Sequence, residues 1–166
     1  MKATKEEYLD ACRMHHGLFG VFKNISRCHE SEKEARTLDF LFAARAAVPH
    51  GLYEHWKSEE GNLKYYVVEG IGIEQDVDRP LVAYRALYRP HVGVLTFRHF
   101  LDDKFGFLAP IDRTAYQGPR FRLVRELSLE QIVTVLGYVV DLSKVKNSAV
   151  FRMHVDDILK KKVPEF

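Results

Sequence analysis

The sequence predicts an α+β protein: a small antiparallel β barrel or strongly curled sheet of about five strands, flanked by N-terminal and C-terminal helices. Three observations predict it. Helix-start signals and apolar steps of three or four fill residues 1–50. Segments rich in Tyr, Val and Ile, joined by short polar turns, fill the middle of the chain. A helical period returns after residue 126.

The N-terminal segment, 1–50, opens with Thr4 and Glu7, spaced as a capping box in which each side chain meets the other residue's free backbone amide. Tyr8, Cys12 and His15 or Phe19 follow at helical spacing, and Gly17 and Gly20 are expected to end or bend this helix. Ser31 and Glu34 repeat the capping signature. Ala35, Leu38, Leu41, Phe42 and Arg45 then trace the face of a second helix, which Pro49 stops.

In the core segment, 51–125, strands are expected over 51–57, 63–75, 81–89 and 92–100, with another over 105–111. Asp76, Val77, Asp78, Arg79 and Pro80 read as a hairpin turn. Connections this short require antiparallel pairing, because a parallel pair needs a long crossover. Residues 120–125 read as an edge strand. In the C-terminal segment, 126–166, Ser128 and Gln131 form a third capping box before the apolar face Ile132, Val135, Leu136, Val139 and Val140. A last helix is expected over 155–162, with Asp156 and Asp157 early and lysines late, as the helix dipole favours. Neither a repeat nor a linker divides the chain, so 1–166 is read as one domain.

Apolar residues make up 46% of the chain, aromatics 12% and charged residues 29%, which is a globular balance and not a disordered one. A net charge of +2 forces no nucleic-acid or membrane partner. Cys12 and Cys28 are too few for a disulfide framework and read as thiols. The N-terminus lacks the apolar stretch of a secretory signal, and the runs at 38–48 and 132–140 are too short to span a bilayer. A cytoplasmic protein is therefore expected.

The middle of the chain, about residues 51–121, carries Gly51-Leu52-Tyr53-Glu54-His55-Trp56-Lys57, Tyr66-Val67-Val68-Glu69-Gly70 and Pro80-Leu81-Val82-Ala83-Tyr84-Arg85-Ala86-Leu87-Tyr88. Phe100-Leu101 and Pro119-Arg120-Phe121 follow. These strings resemble the bacterial family called domain of unknown function 1653, whose most specific part is the run 79–88. The resemblance implies a small β-rich fold and brings no activity with it. The chain departs from the family at Ile73-Glu74-Gln75-Asp76-Val77, where a His-Ser-Glu-Thr-like run is usual. It also lacks the family's Trp and Arg-Pro pair over 92–97.

Among residues that could carry chemistry, Arg85 is the most informative. Strand alternation puts it on one face with Leu81, Ala83 and Leu87, where a guanidinium needs a carboxylate, a carbonyl or an anionic ligand. If Glu69 lies opposite, an ion pair accounts for it; if Gly70 does, a hollow beside Arg85 would admit an anion. His55 and Lys57 share a strand face and, with Tyr84 or Tyr88, could form a polar rim. The expected function is thus a non-catalytic binding protein for an anionic metabolite or nucleotide, which it could sequester. Its ligand-binding residues would be Arg85, His55, Lys57, Tyr84, Tyr88 and Glu69, without catalytic residues, metal or cofactor.

Two alternatives carry different chemistry. Arg120, Arg122 and Arg125, interleaved with Phe121, could track a nucleic-acid backbone, RNA or DNA. A hydrolase could use His55 or His99 with Glu69 or Glu74. A protein–protein adaptor is a third reading, and the helical flanks could mediate self-association. Cys12, His15, His16, Cys28 and His29 suggest a zinc set, but adjacent Cys28 and His29 rarely reach one tetrahedral ion. Glu74, Asp76 and Asp78 read as turn residues before they read as a cation site.

Overall fold

The computed structural model describes residues 3–25, 30–74, 79–102 and 104–161. Helix α1 (Lys5–Ile25) and helix α2 (Glu30–Ala47) come first. Strands β1 (Gly51–His55), β2 (Tyr65–Glu74), β3 (Arg79–Ala86), β4 (Leu95–His99), β5 (Pro110–Arg113), β6 (Tyr116–Pro119) and β7 (Phe121–Glu126) follow. Helices α3 (Leu129–Gly137), α4 (Val139–Leu142) and α5 (Ser148–Lys160) come last. The fold class is α+β, as expected. Strands β4-β3-β2-β1-β7, in that order, form one five-stranded sheet, with β4 and β7 at its ends, and β5 and β6 form a separate two-stranded sheet. The strand expected over 105–111 is displaced to 110–113, and its hairpin partner β6 carried no signal of its own.

The chain divides into two interleaved compact units. The first contains residues 1–49, 70–82 and 97–121. Thr4 and Glu7 cap α1 reciprocally: the Thr4 amide donates to Glu7 Oε2 at 2.7 Å, and the Glu7 amide donates to Thr4 Oγ1 at 3.2 Å. The expected break at Gly17 and Gly20 does not occur. Both lie inside α1, and a Cβ at either would meet nothing, so the cost is only glycine's backbone entropy. Helix α2 is rotated from its expected phase. Phe40, Ala44 and Val48 are buried, whereas Leu38 and Phe42 are 52% and 71% exposed. Phe40 packs with Phe22 and Phe100 at ring-centroid distances of 5.4 and 6.1 Å, and Phe107 stacks on Phe121 at 4.3 Å. The side chains of Ser31 and Glu34, expected to form the second capping box, lie outside the described residues. The same holds for Asp76, Val77 and Asp78 of the hairpin turn.

The second unit contains residues 50–69, 83–96 and 122–166. β1 and β2 pair antiparallel, with Leu52 opposite Val67 and Glu54 opposite Tyr65. Partners in a ladder share a face. Leu52, Tyr65, Val67 and Leu87 accordingly form one core with Leu127, Ile132, Val135, Leu142, Phe151, Val155 and Ile158. Ser128 caps α3 with its box complete, and Asn147 caps α5 by accepting from the Val150 amide. The apolar stretch after Ser128 is broken at Tyr138, so α3 and α4 are separate helices. Helix α5 begins seven residues before the expected helix. Asp156 and Asp157 therefore lie near its C-terminal end, where the dipole does not favour them. Their side chains meet cations instead, Asp156 with Arg125 and Asp157 with Lys160. Gly51 has a positional reason: a Cβ there would collide with the Arg125 carbonyl of β7.

Candidate functional site

The expected ligand residues are divided by strand alternation. Arg85 and Tyr84 are neighbours on β3 and point to opposite faces. Arg85 Nε forms an ion pair with Glu69, and its Nη1 donates to the Gly93 carbonyl at 2.9 Å. Of the two outcomes allowed by the sequence, the carboxylate partner is the one adopted. The consequence lies in the loop 87–94. The Gly93 amide donates back to the Ala86 carbonyl at 2.8 Å, and the Val94 amide donates to the His91 carbonyl at 3.1 Å. Gly93 turns with φ +71°, a conformation costly for other residues. Arg85 and Glu69 thus brace the loop that carries Tyr88, Arg89 and His91.

The remaining expected residues gather around Tyr66. Tyr66 and Tyr88 share a hydroxyl–hydroxyl hydrogen bond of 2.6 Å. The rings of Tyr84, Tyr88 and His55 lie 5.2, 5.4 and 6.1 Å from that of Tyr66, each edge to face. His55 Nδ1 accepts from the Lys57 amide at 3.3 Å, and Lys57 Nζ sits 5.2 Å from the Trp56 ring. Tyr88 in turn meets His91 edge to face at 6.0 Å.

Of the expected set, Tyr88 lines a crevice in this unit. Asn62, Tyr65, Arg89, Ser143, Lys146 and Phe151 share that lining. Its enclosed part is about 20 Å³, room for one water-sized group. The floor is rigid: Tyr65 stacks on Phe151 at 4.2 Å, and its hydroxyl shares a 2.7 Å hydrogen bond with Ser148 Oγ. Glu60 accepts from the Ser148 amide at 3.1 Å, and the Gly61 amide donates to the Lys146 carbonyl at 2.8 Å. At the mouth, Arg89 and Lys146 are exposed and make no ion pair among the described residues. Sequence reasoning missed both. Arg89 looked like the end of a strand, and Lys146 follows α4 in a segment without a motif.

The cations of the nucleic-acid alternative are already engaged. Arg120 donates to the Lys104 carbonyl, Arg122 pairs with Glu54 at 2.6 Å, and Arg125 pairs with Asp156. Glu54 is buried and also meets Arg152 of α5 at 3.5 Å. Arg152 has a raised pKa, chiefly through its hydrogen bond with Tyr65, with Glu54 adding to the shift. For the hydrolase alternative, Glu69 is taken by Arg85, and His99 Nδ1 is buried without a hydrogen bond among the described residues. His15 is buried and stacks on Phe19 at 6.0 Å, and Cys28 and His29 lie outside the described residues. Among the described residues no group of three His, Cys, Asp or Glu could hold a metal ion, and no helix is long and apolar enough to cross a membrane.

No family model matches the chain, and no curated protein does. Among solved structures, it is similar to a crystal structure of a protein from Bordetella bronchiseptica belonging to the domain of unknown function 1653 family. The identity is 23% and the TM-score 0.39, and the match covers 50% of this chain and 95% of that one. Over half its length the chain resembles that family.

Proposed function

We propose that the protein is a non-catalytic binding protein for a small anionic ligand, held at the crevice beside Tyr88. The observation that carries this is the pair Arg89 and Lys146, two exposed cations without a carboxylate partner among the described residues, at the mouth of a hollow lined by Asn62 and Ser143. Paired cations present little net charge; unpaired ones attract anions. The Asn62 side-chain amide adds a hydrogen-bonding group, whereas the Ser143 hydroxyl is spent on the Val140 carbonyl at 2.7 Å; the bond from Tyr66 fixes Tyr88. In this reading Arg85 and Glu69 do not touch ligand but hold the loop of Arg89 in place. His55, Tyr84 and Lys57 steady the aromatic cluster behind Tyr88. A curl of the sheet toward a barrel belongs to the same proposal, since it would draw the 87–94 loop over the helices.

The test is an NMR titration of the whole chain with inorganic phosphate and with pyrophosphate. Amide shifts are expected to move at Asn62, Arg89 and Lys146. Arg89→Ala and Lys146→Ala should each weaken binding by roughly tenfold, the effect of one charge-assisted hydrogen bond. Saturable binding that is indifferent to both substitutions would place the anion elsewhere and end the proposal.

A further inference from the structure

We infer that the open edge of β7 pairs with the same edge of a second copy of this chain, antiparallel about Val124, so that Arg122 of each copy meets the partner's Glu126. β7 ends the five-stranded sheet, with β1 on its inner side. The Leu127 amide donates to the His50 carbonyl, and the Arg125 carbonyl is the atom that a Cβ on Gly51 would strike. Residues 125 and 127 therefore turn their backbone groups inward, and alternation turns those of Arg122, Val124 and Glu126 outward. Among the described residues no turn, loop or helix takes up these outward groups. The opposite end of the sheet is different: the His99 carbonyl at the end of β4 accepts from the Phe107 amide at 2.8 Å.

Charge selects the occupant. Glu54 alone serves two guanidiniums, Arg122 at 2.6 Å and Arg152 at 3.5 Å. Glu126 is exposed and meets no cation in an ion pair among the described residues. It shares a strand face with Arg122, but four residues of strand separate them by about 13 Å, too far to pair within one chain. A two-fold axis through Val124 removes that distance, because it sets residue 122 opposite the partner's Glu126, with Cα atoms about 5.5 Å apart. The carboxylate that the two arginines lack is then supplied twice, once by each copy. Other registers fail. An axis at Leu123 parts Arg122 from the partner's Glu126, one at Arg125 sets that arginine on itself, and one at Arg122 or Glu126 does the same for those charges. Edge charges ordinarily repel a second strand. Here they have opposite signs at the two ends of the edge, and antiparallel pairing makes them complementary.

Sedimentation velocity of the whole chain from about 1 µM to 1 mM, the range of weak interfaces, tests the pairing, with amide hydrogen exchange measured at both limits. The wild type is expected to pass from monomer to dimer. At the dimer limit exchange at the Arg122, Val124 and Glu126 amides should slow by about tenfold or more, while Leu123 and Arg125, turned toward β1, stay unchanged. Val124→Pro removes a donor that the sheet does not use, at a position where an edge strand tolerates proline, and should keep the chain monomeric. Glu126→Lys, at an exposed position, sets like charges opposite each other at both symmetry-related places and should weaken the dimer by about tenfold or more. A wild type that stays monomeric throughout, or a dimer that Glu126→Lys leaves intact, overturns the pairing. So does a dimer in which the Val124 amide still exchanges freely, since another surface would then hold it. Should Val124→Pro fail to fold, Glu126→Lys and the exchange pattern decide the matter.

Discussion

Replacing Glu54 by Ala should cost about 3–4 kcal/mol of stability, and the structure indicates where that cost arises. Glu54 lies on the core face of β1 and is 8% exposed. Arg122, whose side chain is 17% exposed, donates to it at 2.6 Å. Removing the carboxylate leaves that guanidinium buried without its counter-charge, and breaking a buried pair from one side costs about 3–5 kcal/mol. Arg152 contributes little, because its contact is longer at 3.5 Å and its side chain is 41% exposed. An exposed ion pair is worth about 0.2–1 kcal/mol. Because the Arg122 side chain keeps 17% exposure, its share lies at the lower end of the buried range, about 3 kcal/mol, and Arg152 adds at most about 1 kcal/mol, which gives about 3–4 kcal/mol. For a chain of this length each kcal/mol moves the midpoint by about 2–4 °C, so Tm should fall by about 10 °C. Glu54→Gln keeps the volume and one acceptor oxygen and should lose about half as much. Asp156→Ala supplies the control: it breaks the Arg125 pair, whose side chains are 45% and 52% exposed, and should cost no more than about 1 kcal/mol. Urea and thermal unfolding of the three variants measure all of this. Were Glu54→Ala no worse than Asp156→Ala, the claim that Glu54 neutralises a buried guanidinium would be wrong.

Two further outcomes follow from buried or bracing groups. Burial, and secondarily the charge of Glu126, raises the Tyr53 pKa well above the ordinary phenol value of about 10. A raised folded pKa means that the stabilisation is complete below the unfolded value and is lost as pH climbs above it. Urea midpoints taken at rising alkaline pH should therefore fall faster for the wild type than for Tyr53→Phe, and parallel curves would refute the assignment. Arg85→Ala should release the Gly93 carbonyl and speed hydrogen exchange at the Gly93 and Val94 amides, with little change in the α3–α5 core; unchanged exchange there would deny Arg85 its bracing role.

Much of the fold was legible because its signals are local. Thr4 with Glu7 and Ser128 with Gln131 each satisfy two backbone amides inside four residues, so a capping box predicts its own geometry. The strands of 51–125 were legible through composition and through connections too short for a crossover. What failed was the choice of which face is buried. In α2 the run Thr37-Leu38-Asp39-Phe40-Leu41-Phe42 offers apolar side chains almost all round, and the phase through Leu38 and Phe42 looked as good as the one through Phe40, Ala44 and Val48. Only the aromatic partners Phe22 and Phe100 decide between them, and both are distant in sequence. The glycines misled for a related reason. Gly17 and Gly20 are helix breakers by propensity, but α1 packs along α2, β5 and β6, and tertiary packing outweighs about 1 kcal/mol per glycine.

The candidate site was half legible, for a reason particular to charged residues. A cation in a strand announces itself by its neighbours: Arg85 among Leu81, Ala83 and Leu87 must be accounted for, and the sequence correctly narrowed the account to Glu69 or a ligand. A cation in a loop makes no such demand. Arg89 and Lys146 are separated by more than fifty residues and each looks like ordinary surface. Their meaning comes from α5, whose N-terminus is tied to the β1–β2 connection by Glu60 at the Ser148 amide and by Gly61 at the Lys146 carbonyl. Those two contacts hold Lys146 to the loop that ends in Asn62, so both residues line the crevice with Arg89. An ion pair accounts for Arg85, Arg122, Arg125 and Arg152, all within the same unit, by a carboxylate at hand. Three carboxylates, Glu69, Glu54 and Asp156, serve those four arginines, whereas neither Arg89 nor Lys146 meets one among the described residues, and the proposed anion site rests on that difference.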